Sequence, residues 1–193
     1  RNLVVHISLP PNVISFILIL SFLLVKEILV SPSFFCSGFG AKCGIIKVMQ
    51  AKPSSAYVHI PFCTQICYYC DFSKVFIKNQ PVDAYLEHLI QETRSYEIGK
   101  LRTLYIGGGT PTALSAQQLA YLLSELHKVM DLSEVEEFTI EANPGDLDPD
   151  KIAVLKDSQV NRVSLGVQTF DNKMLKKIGR SHQEQDIYDN IRH

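Results

Sequence analysis

The sequence lacks an excess of charge of either sign: 19 Lys and Arg stand against 20 Asp and Glu, a net charge of −1 over 193 residues. That balance gives no overall electrostatic footprint for nucleic acid or an anionic membrane. Long apolar runs are missing as well. The stretch 13–25 (VISFILILSFLLV) is 13 residues long and carries Ser15 and Ser21, whereas a spanning helix needs roughly 20 apolar residues. A secretory segment fits that length, but one Arg followed by Pro10 and Pro11 precedes it, and no small-x-small cleavage site follows. The five cysteines include no paired C-x2-C knuckles of the zinc-binding type and no even framework of a small secreted scaffold. What is present, 46% hydrophobic and 20% charged residues, is the composition of an ordinary globular domain and excludes disorder as the default.

The charge is unevenly placed. Residues 1–48 hold Arg1, Lys26, Lys42 and Lys47 against Glu27, a net of +3, which leaves 15 basic and 19 acidic residues, or −4, from Met49 onward. The first methionine is Met49, a few residues before the first strongly patterned segment. The expected native start is therefore Met49, with residues 1–48 outside the working fold; a signal or anchor sequence is the alternative. Residues 49–193 end inside a helical pattern and are expected to be the N-terminal part of a longer core domain.

From Met49 the chain alternates short β-branched or aromatic runs with longer amphipathic ones, the pattern of βα units on a parallel sheet. The first strand is expected at 56–60 (AYVHI), and its helix near Asp83, a candidate N-cap, with Leu86, Leu89, Ile90, Thr93 and Tyr96 on one face. A strand at 103–106 precedes a helix opened by the capping-box types Ser115 and Gln118, with an apolar stripe of Leu119, Leu122, Leu123, Leu126 and Met130. A third strand, 138–142, leads to a helix opened by Asp148 and Pro149. The fourth strand, 162–167, is followed by helical patterns at about 171–178 and from about Gln183.

Such units build either an open doubly wound sheet or part of a barrel, and in both the chemistry sits at the carboxyl ends of the strands. There lie Cys63, Cys67 and Cys70 after strand one, residues 107–110 after strand two, Glu141 and Asn143 at strand three, and Gln168 at strand four. Twenty-odd residues separate the first strand from its helix, and an excess loop of that length needs a function. Its three thiols have three readings: a disulfide, a Cys3His zinc site completed by His59, or three ligands of a [4Fe-4S] cubane whose fourth iron stays open to a small molecule.

The spacing C-x3-C-x2-C, with Tyr69 just before the last cysteine, resembles the cluster loop of the radical S-adenosylmethionine (radical SAM) superfamily. Residues 57–63 (YVHIPFC), 105–112 (YIGGGTPT), 141–144 (EANP) and 166–170 (GVQTF) occur in order, and together they resemble the oxygen-independent coproporphyrinogen III oxidase-like family, the HemN and HemW group. The similarity covers about residues 56–182. It implies an α/β fold in which parallel β/α units form part of a TIM-like barrel, truncated after about four units. It also implies a [4Fe-4S] cluster on Cys63, Cys67 and Cys70, whose open iron binds S-adenosylmethionine for reductive cleavage to a 5′-deoxyadenosyl radical.

The resemblance assigns the remaining candidates. Gly107, Gly108, Gly109 and Thr110 contact the methionine moiety through exposed backbone N–H groups; a tight strand-to-helix turn explains the same glycines. Glu141 projects from the rim toward ribose hydroxyls, or is a solvated ion-pair partner. Gln168 follows Ser164 and Gly166 on one strand face, leaving room for a ligand. Arg180, in 178–182 (IGRSH), matches a position contacting nucleoside or substrate carboxylate; Tyr57 and Tyr69 complete the set, while His59 reads as a packed strand histidine. Within the family the oxidases carry a fourth cysteine two residues after the third. Here that position is Phe72, and residues 70–72 (CDF) resemble the haem-chaperone branch. The expected partners are haem or porphyrin, a haem-acceptor protein and a reductant protein, in a cytoplasmic, reducing setting without stable membrane insertion. The intact mass of the natural protein checks the expected start: a polypeptide retaining residues 14–30 overturns it.

Overall fold

The computed structural model describes residues 52–192. The run 13–25, Cys36, Cys43 and the expected start at Met49 lie outside the described residues. Four strands, β1 (Ser55–Ile60), β4 (Thr103–Gly108), β5 (Glu137–Ala142) and β6 (Arg162–Leu165), form one sheet in the order β1-β4-β5-β6, every pair parallel. Consecutive strands are neighbours with no reversal of direction among the described residues. An open doubly wound sheet reverses at a switch point; steady progression with a helix after each strand is the wall of a barrel.

Alternation along the strands gives the wall two unlike faces. Ala56, Val58 and Ile60, Leu104 and Ile106, and Phe138 and Ile140 are buried in the core beneath helices α1 (Val82–Arg94), α2 (Ala116–Val129) and α3 (Pro149–Lys156). The opposite face carries Tyr57, Tyr105, Thr139 and Arg162 in one register row, with His59, Gly107, Glu141 and Ser164 beyond it toward the rim. Burying an aliphatic side chain stabilises by about 1.5–3 kcal/mol, so the leucines Leu119, Leu122, Leu123 and Leu126 hold α2 to the sheet more firmly than helix propensity does.

Helix ends follow local chemistry. The Ser115 hydroxyl accepts from the Gln118 N–H while the Gln118 side chain accepts from the Ser115 N–H, the full capping box. Asp148 accepts from the Lys151 N–H and Pro149 opens α3. At α1 the outcome differs: Pro81 occupies the cap position with no side-chain bond, and Asp83 lies inside the first turn. Tyr96 falls beyond the end of α1 and is partly exposed, so the buried stripe ends at Thr93. Two short helices, α4 (Asn172–Lys177) and α5 (Glu184–Arg192), follow β6. Among the described residues no helix is long and apolar enough to cross a membrane.

Two departures from the expected elements matter for the site. Strand β6 ends at Leu165, two residues early, and Gln168 has φ +65°, so it stands in a left-handed turn and not on the strand face. The long loop after β1 is not structureless: β2 (Phe62–Cys63) pairs in parallel with β3 (Val75–Phe76). The Val75 N–H donates to the Pro61 carbonyl at 2.8 Å and the Ile77 N–H to the Cys63 carbonyl at 2.9 Å, which closes the loop at its base.

The strand-to-turn junction after β4 depends on Gly108, whose φ is +118° and where a Cβ would lie 2.5 Å from the His59 ring. A left-handed conformation costs a side chain about 1–3 kcal/mol before any clash. Gly108→Ala is expected to lower the unfolding free energy by at least that amount, read as a lower urea midpoint at an unchanged m-value; an unaltered midpoint would show that His59 and the turn can shift apart freely.

Candidate functional site

The three thiols come together because the loop base is fixed. Cys63 sits in β2, buried, with its Sγ 3.7 Å from Thr110 Oγ1. Cys67 and Cys70 are half-buried and joined by a tight turn in which the Cys70 N–H donates to the Cys67 carbonyl at 3.3 Å. Lys74 Nζ donates to the carbonyls of Cys70 and Phe72 and holds the far side of that turn. The near side is tied to the α4–α5 junction: the Tyr68 N–H donates to the Ile178 carbonyl at 3.2 Å, and Gln65 Nε2 to the Gly179 carbonyl at 3.1 Å. All three thiols are free.

They line one cavity of about 230 Å³ at the carboxyl ends of the sheet strands. Of the expected site residues, Tyr69, Gly108, Gly109, Thr110, Glu141, Gln168 and Arg180 line the same cavity. Tyr57 and Gly107 do not; they lie on the inner face short of the rim, where Tyr57 stacks on Tyr105 with ring centroids 5.8 Å apart. A Cβ on Gly107 would come 2.9 Å from the Glu141 carboxylate and 2.7 Å from the Tyr105 ring. Its missing side chain is the space in which those two groups meet.

The glycine turn spends its N–H groups inside the protein. Gly108 donates to Glu141 Oε2 at 3.0 Å, Gly109 to the Ile60 carbonyl at 2.8 Å and Thr110 to the Phe62 carbonyl at 2.8 Å. This corrects the expectation that these amides are left exposed for a ligand. Glu141 likewise receives the Tyr105 hydroxyl at 2.6 Å on its other oxygen. It is neither a surface ion-pair partner nor an unengaged carboxylate.

A second set of bonds ties the strand ends to one another. Arg180 Nη2 donates to Asn143 Oδ1 at 2.7 Å and to the Gly166 carbonyl, while Nη1 lies 3.4 Å from Cys67 Sγ. Asn143 Nδ2 donates to Thr110 Oγ1 at 3.0 Å, and the Thr110 hydroxyl donates to the Gly109 carbonyl at 2.8 Å. Arg180 Nε is buried without a hydrogen-bond partner among the described residues. Asn143, which the sequence places at the rim, joins the site through these bonds and lines the cavity. The signal was present, since Glu137, Thr139, Glu141 and Asn143 alternate onto one face. Lys74 had no comparable pattern to mark it.

Burial pushes the Cys63 thiol above its ordinary value, and the Thr110 contact pulls the other way. Burial lowers His59, whose Nδ1 accepts from the Tyr57 hydroxyl at 3.1 Å and whose Nε2–H donates to the Ser73 carbonyl at 2.9 Å. Both ring nitrogens are thus engaged, which removes the fourth ligand of a Cys3His zinc site. Among the described residues, no three His, Cys, Asp or Glu side chains converge on a single metal ion. The set offers three soft donors around a common space, which suits a multi-iron cluster better than one tetrahedral ion.

A parallel β/α barrel wall, with three free thiols on the loop after its first strand and a polar carboxyl-end rim, defines a β/α protein with a thiol-lined cavity at its carboxyl-end rim. The chain belongs to the Radical SAM superfamily, whose family model matches residues 57–193. It is 63% identical over 143 residues to the heme chaperone HemW of Lactococcus lactis subsp. lactis (strain IL1403), covering 74% of this chain and 38% of that protein. It is 51% identical over 140 residues to the heme chaperone HemW of Bacillus subtilis (strain 168), covering 69% and 37%. Among solved structures it resembles the coproporphyrinogen III oxidase HemN from Escherichia coli, described as a Radical SAM enzyme. The TM-score is 0.64 at 32% identity, covering 72% of this chain and 33% of that one. The chain therefore spans well under half the length of the relatives it matches.

The Tyr105–Glu141 pair has a consequence at high pH. Burial, then the Glu141 carboxylate, push the Tyr105 hydroxyl from an ordinary value of 10 up to about 12. The folded state thus holds a proton that the unfolded state has released, and this contribution is complete below pH 10 and lost as pH rises toward 12. Tyr105→Phe is expected to flatten the fall of urea-measured stability across that window. An unchanged slope would place the alkaline loss elsewhere.

Proposed function

We propose that Cys63, Cys67 and Cys70 hold a [4Fe-4S] cluster with one iron open to S-adenosylmethionine, in a protein that binds haem and transfers it to acceptor proteins. The observation that carries this reading is the convergence of three free thiols from one loop on a cavity whose rim residues come from β4, β5 and the segment after β6. When bound, such a cluster supplies the electron for reductive cleavage of the sulfonium of S-adenosylmethionine.

The chain's own residues supply positioning. Gly108, Gly109 and Thr110 form a side-chain-poor wall for the methionine moiety, and Tyr69 and Gln168 bound the same space. Glu141, held by Tyr105 and Gly108, presents its remaining lone pairs to ribose hydroxyls. The Arg180 guanidinium, whose buried Nε has no hydrogen-bond partner among the described residues, offers a donor to a carboxylate. Tyr57 acts one step back, fixing His59 through its hydroxyl and Tyr105 through stacking.

Transfer of haem is favoured over oxidative decarboxylation by Phe72, which is 64% exposed beside the thiols and supplies no fourth thiolate. The similarity to two proteins named heme chaperone HemW points the same way. On this reading residues 49–193 are the N-terminal part of the core domain and residues 1–48 stand outside it. Haem ligands lie in the remainder of the longer protein, a reductant protein serves the cluster, and the setting is cytoplasmic.

Anaerobic purification of the full-length protein is expected to give about four irons and four sulfides per chain. Added S-adenosylmethionine should alter the electron paramagnetic resonance spectrum of the reduced sample, and haem titration should saturate near one per chain. Replacing any of Cys63, Cys67 or Cys70 with Ala should abolish the signal. Zinc without sulfide would overturn the cluster, and coproporphyrinogen turnover without haem binding would overturn the transfer role.

A further inference from the structure

Thr110 touches a thiol that the proposed cluster would use, and the surrounding bonds dictate what its hydroxyl can do. Arginine carries donors only, so Arg180 must face the Asn143 carbonyl oxygen, and this fixes the amide orientation. Asn143 Nδ2 then donates to Thr110 Oγ1, which must accept there. The Thr110 proton is left for another acceptor and is directed at the Gly109 carbonyl, 2.8 Å away. On its remaining side Thr110 Oγ1 lies 3.7 Å from Cys63 Sγ. While Cys63 is a thiol, its S–H can donate to Thr110. A metal-bound thiolate has no proton, and the only donor left between the two groups is the Thr110 hydroxyl.

We infer that Arg180, Asn143 and Thr110 form a one-directional hydrogen-bond relay and that, in the loaded protein, the single Thr110 proton turns from the Gly109 carbonyl, which it meets here at 2.8 Å, to the Cys63 thiolate. Thr110 and Asn143 are positioning residues in this role, beyond any contact with S-adenosylmethionine. The inference rests on the cluster reading above. A hydroxyl donor draws negative charge from the sulfur and stabilises the reduced, more negative cluster, since hydrogen bonds to ligand sulfurs set the potentials of such clusters. Arg180 acts in the same sense on a second sulfur through Nη1, 3.4 Å from Cys67. Thr110 is buried at 4% exposure, so water does not readily replace its hydroxyl.

The test is the midpoint potential of the cluster in the full-length protein, read by paramagnetic resonance during reductive titration, with iron content measured on each sample. Thr110→Val is expected to lower the reduced-to-oxidised ratio at fixed applied potential about tenfold, a shift of about 59 mV to more negative values for one electron. Thr110→Ser, which keeps the hydroxyl, should stay within about twofold of the wild type. A wild-type potential in T110V, or an equal shift in T110V and T110S, overturns the relay.

If T110V takes up no iron, Asn143→Asp decides. It leaves Thr110 in place but gives its proton a carboxylate to bond. Ser164→Asp adds the same charge to the same cavity without touching Thr110 and measures the charge effect alone. A larger negative shift in N143D than in S164D supports the relay, and an equal or smaller one overturns it. Iron-free wild-type protein would instead overturn the cluster reading on which the relay rests.

Discussion

The backbone leaving β4 lies directly against the backbone leaving β1. The N–H groups of Gly109 and Thr110 continue the pairing onto the carbonyls of Ile60 and Phe62 after the regular ladder has ended. That contact positions Pro61 and Phe62, hence the two-residue ladder β2·β3, hence the base of the cysteine loop. It requires the absence of side chains at the junction: a Cβ at Gly109 would lie 2.7 Å from the backbone of Pro61 and Phe62. The turn at Gly108 and Gly109 is therefore first an assembly device for the thiol loop, and only then a wall of the cavity.

This explains how far the sequence could be read. Hydrophobic alternation located all four sheet strands, and cap chemistry located α2 and α3, because those signals act within a few residues. Asp83 misled as a cap for α1, since the chain enters that helix through Pro81. Gln168 does not continue the strand face because β6 stops at Leu165 and the chain turns at Gln168 itself, whose φ is +65°. The β2·β3 ladder left no periodic trace, being two residues long and joined across the whole loop. Spacing and motif order brought the three thiols and most rim residues into one candidate site. Their hydrogen-bond partners depend on register between strands, which no single segment encodes.

Two kinds of residue share the rim. Glu141, Tyr105, Tyr57 and His59 form a block on the inner face whose side-chain bonds run among themselves, to the Gly108 N–H and to the Ser73 carbonyl of the cysteine loop. Arg180, Asn143 and Thr110 form a second block that crosses from the α4–α5 junction to β4. The thiol loop lies between them, fastened by His59 and Lys74 on one side and by Gln65 and Tyr68 on the other. Its geometry is consequently a property of the folded wall and not of the loop's own short sequence.

The ladder at the base of that loop can be viewed as a problem in chelation. A ligand loop free from residue 61 to residue 81 would have to surrender the conformational freedom of the whole span each time it gathered its donors. With the base closed by the Val75 and Ile77 amides, only the short tip bearing Cys67 and Cys70 remains to be organised, while Cys63 is already in place. Closure entropy grows with loop length, so the shortened tip would serve the proposed cluster as a partly preformed set of donors. If the three thiols hold the proposed cluster, much of the entropic penalty of three-point coordination would fall on folding the wall, before any iron arrived.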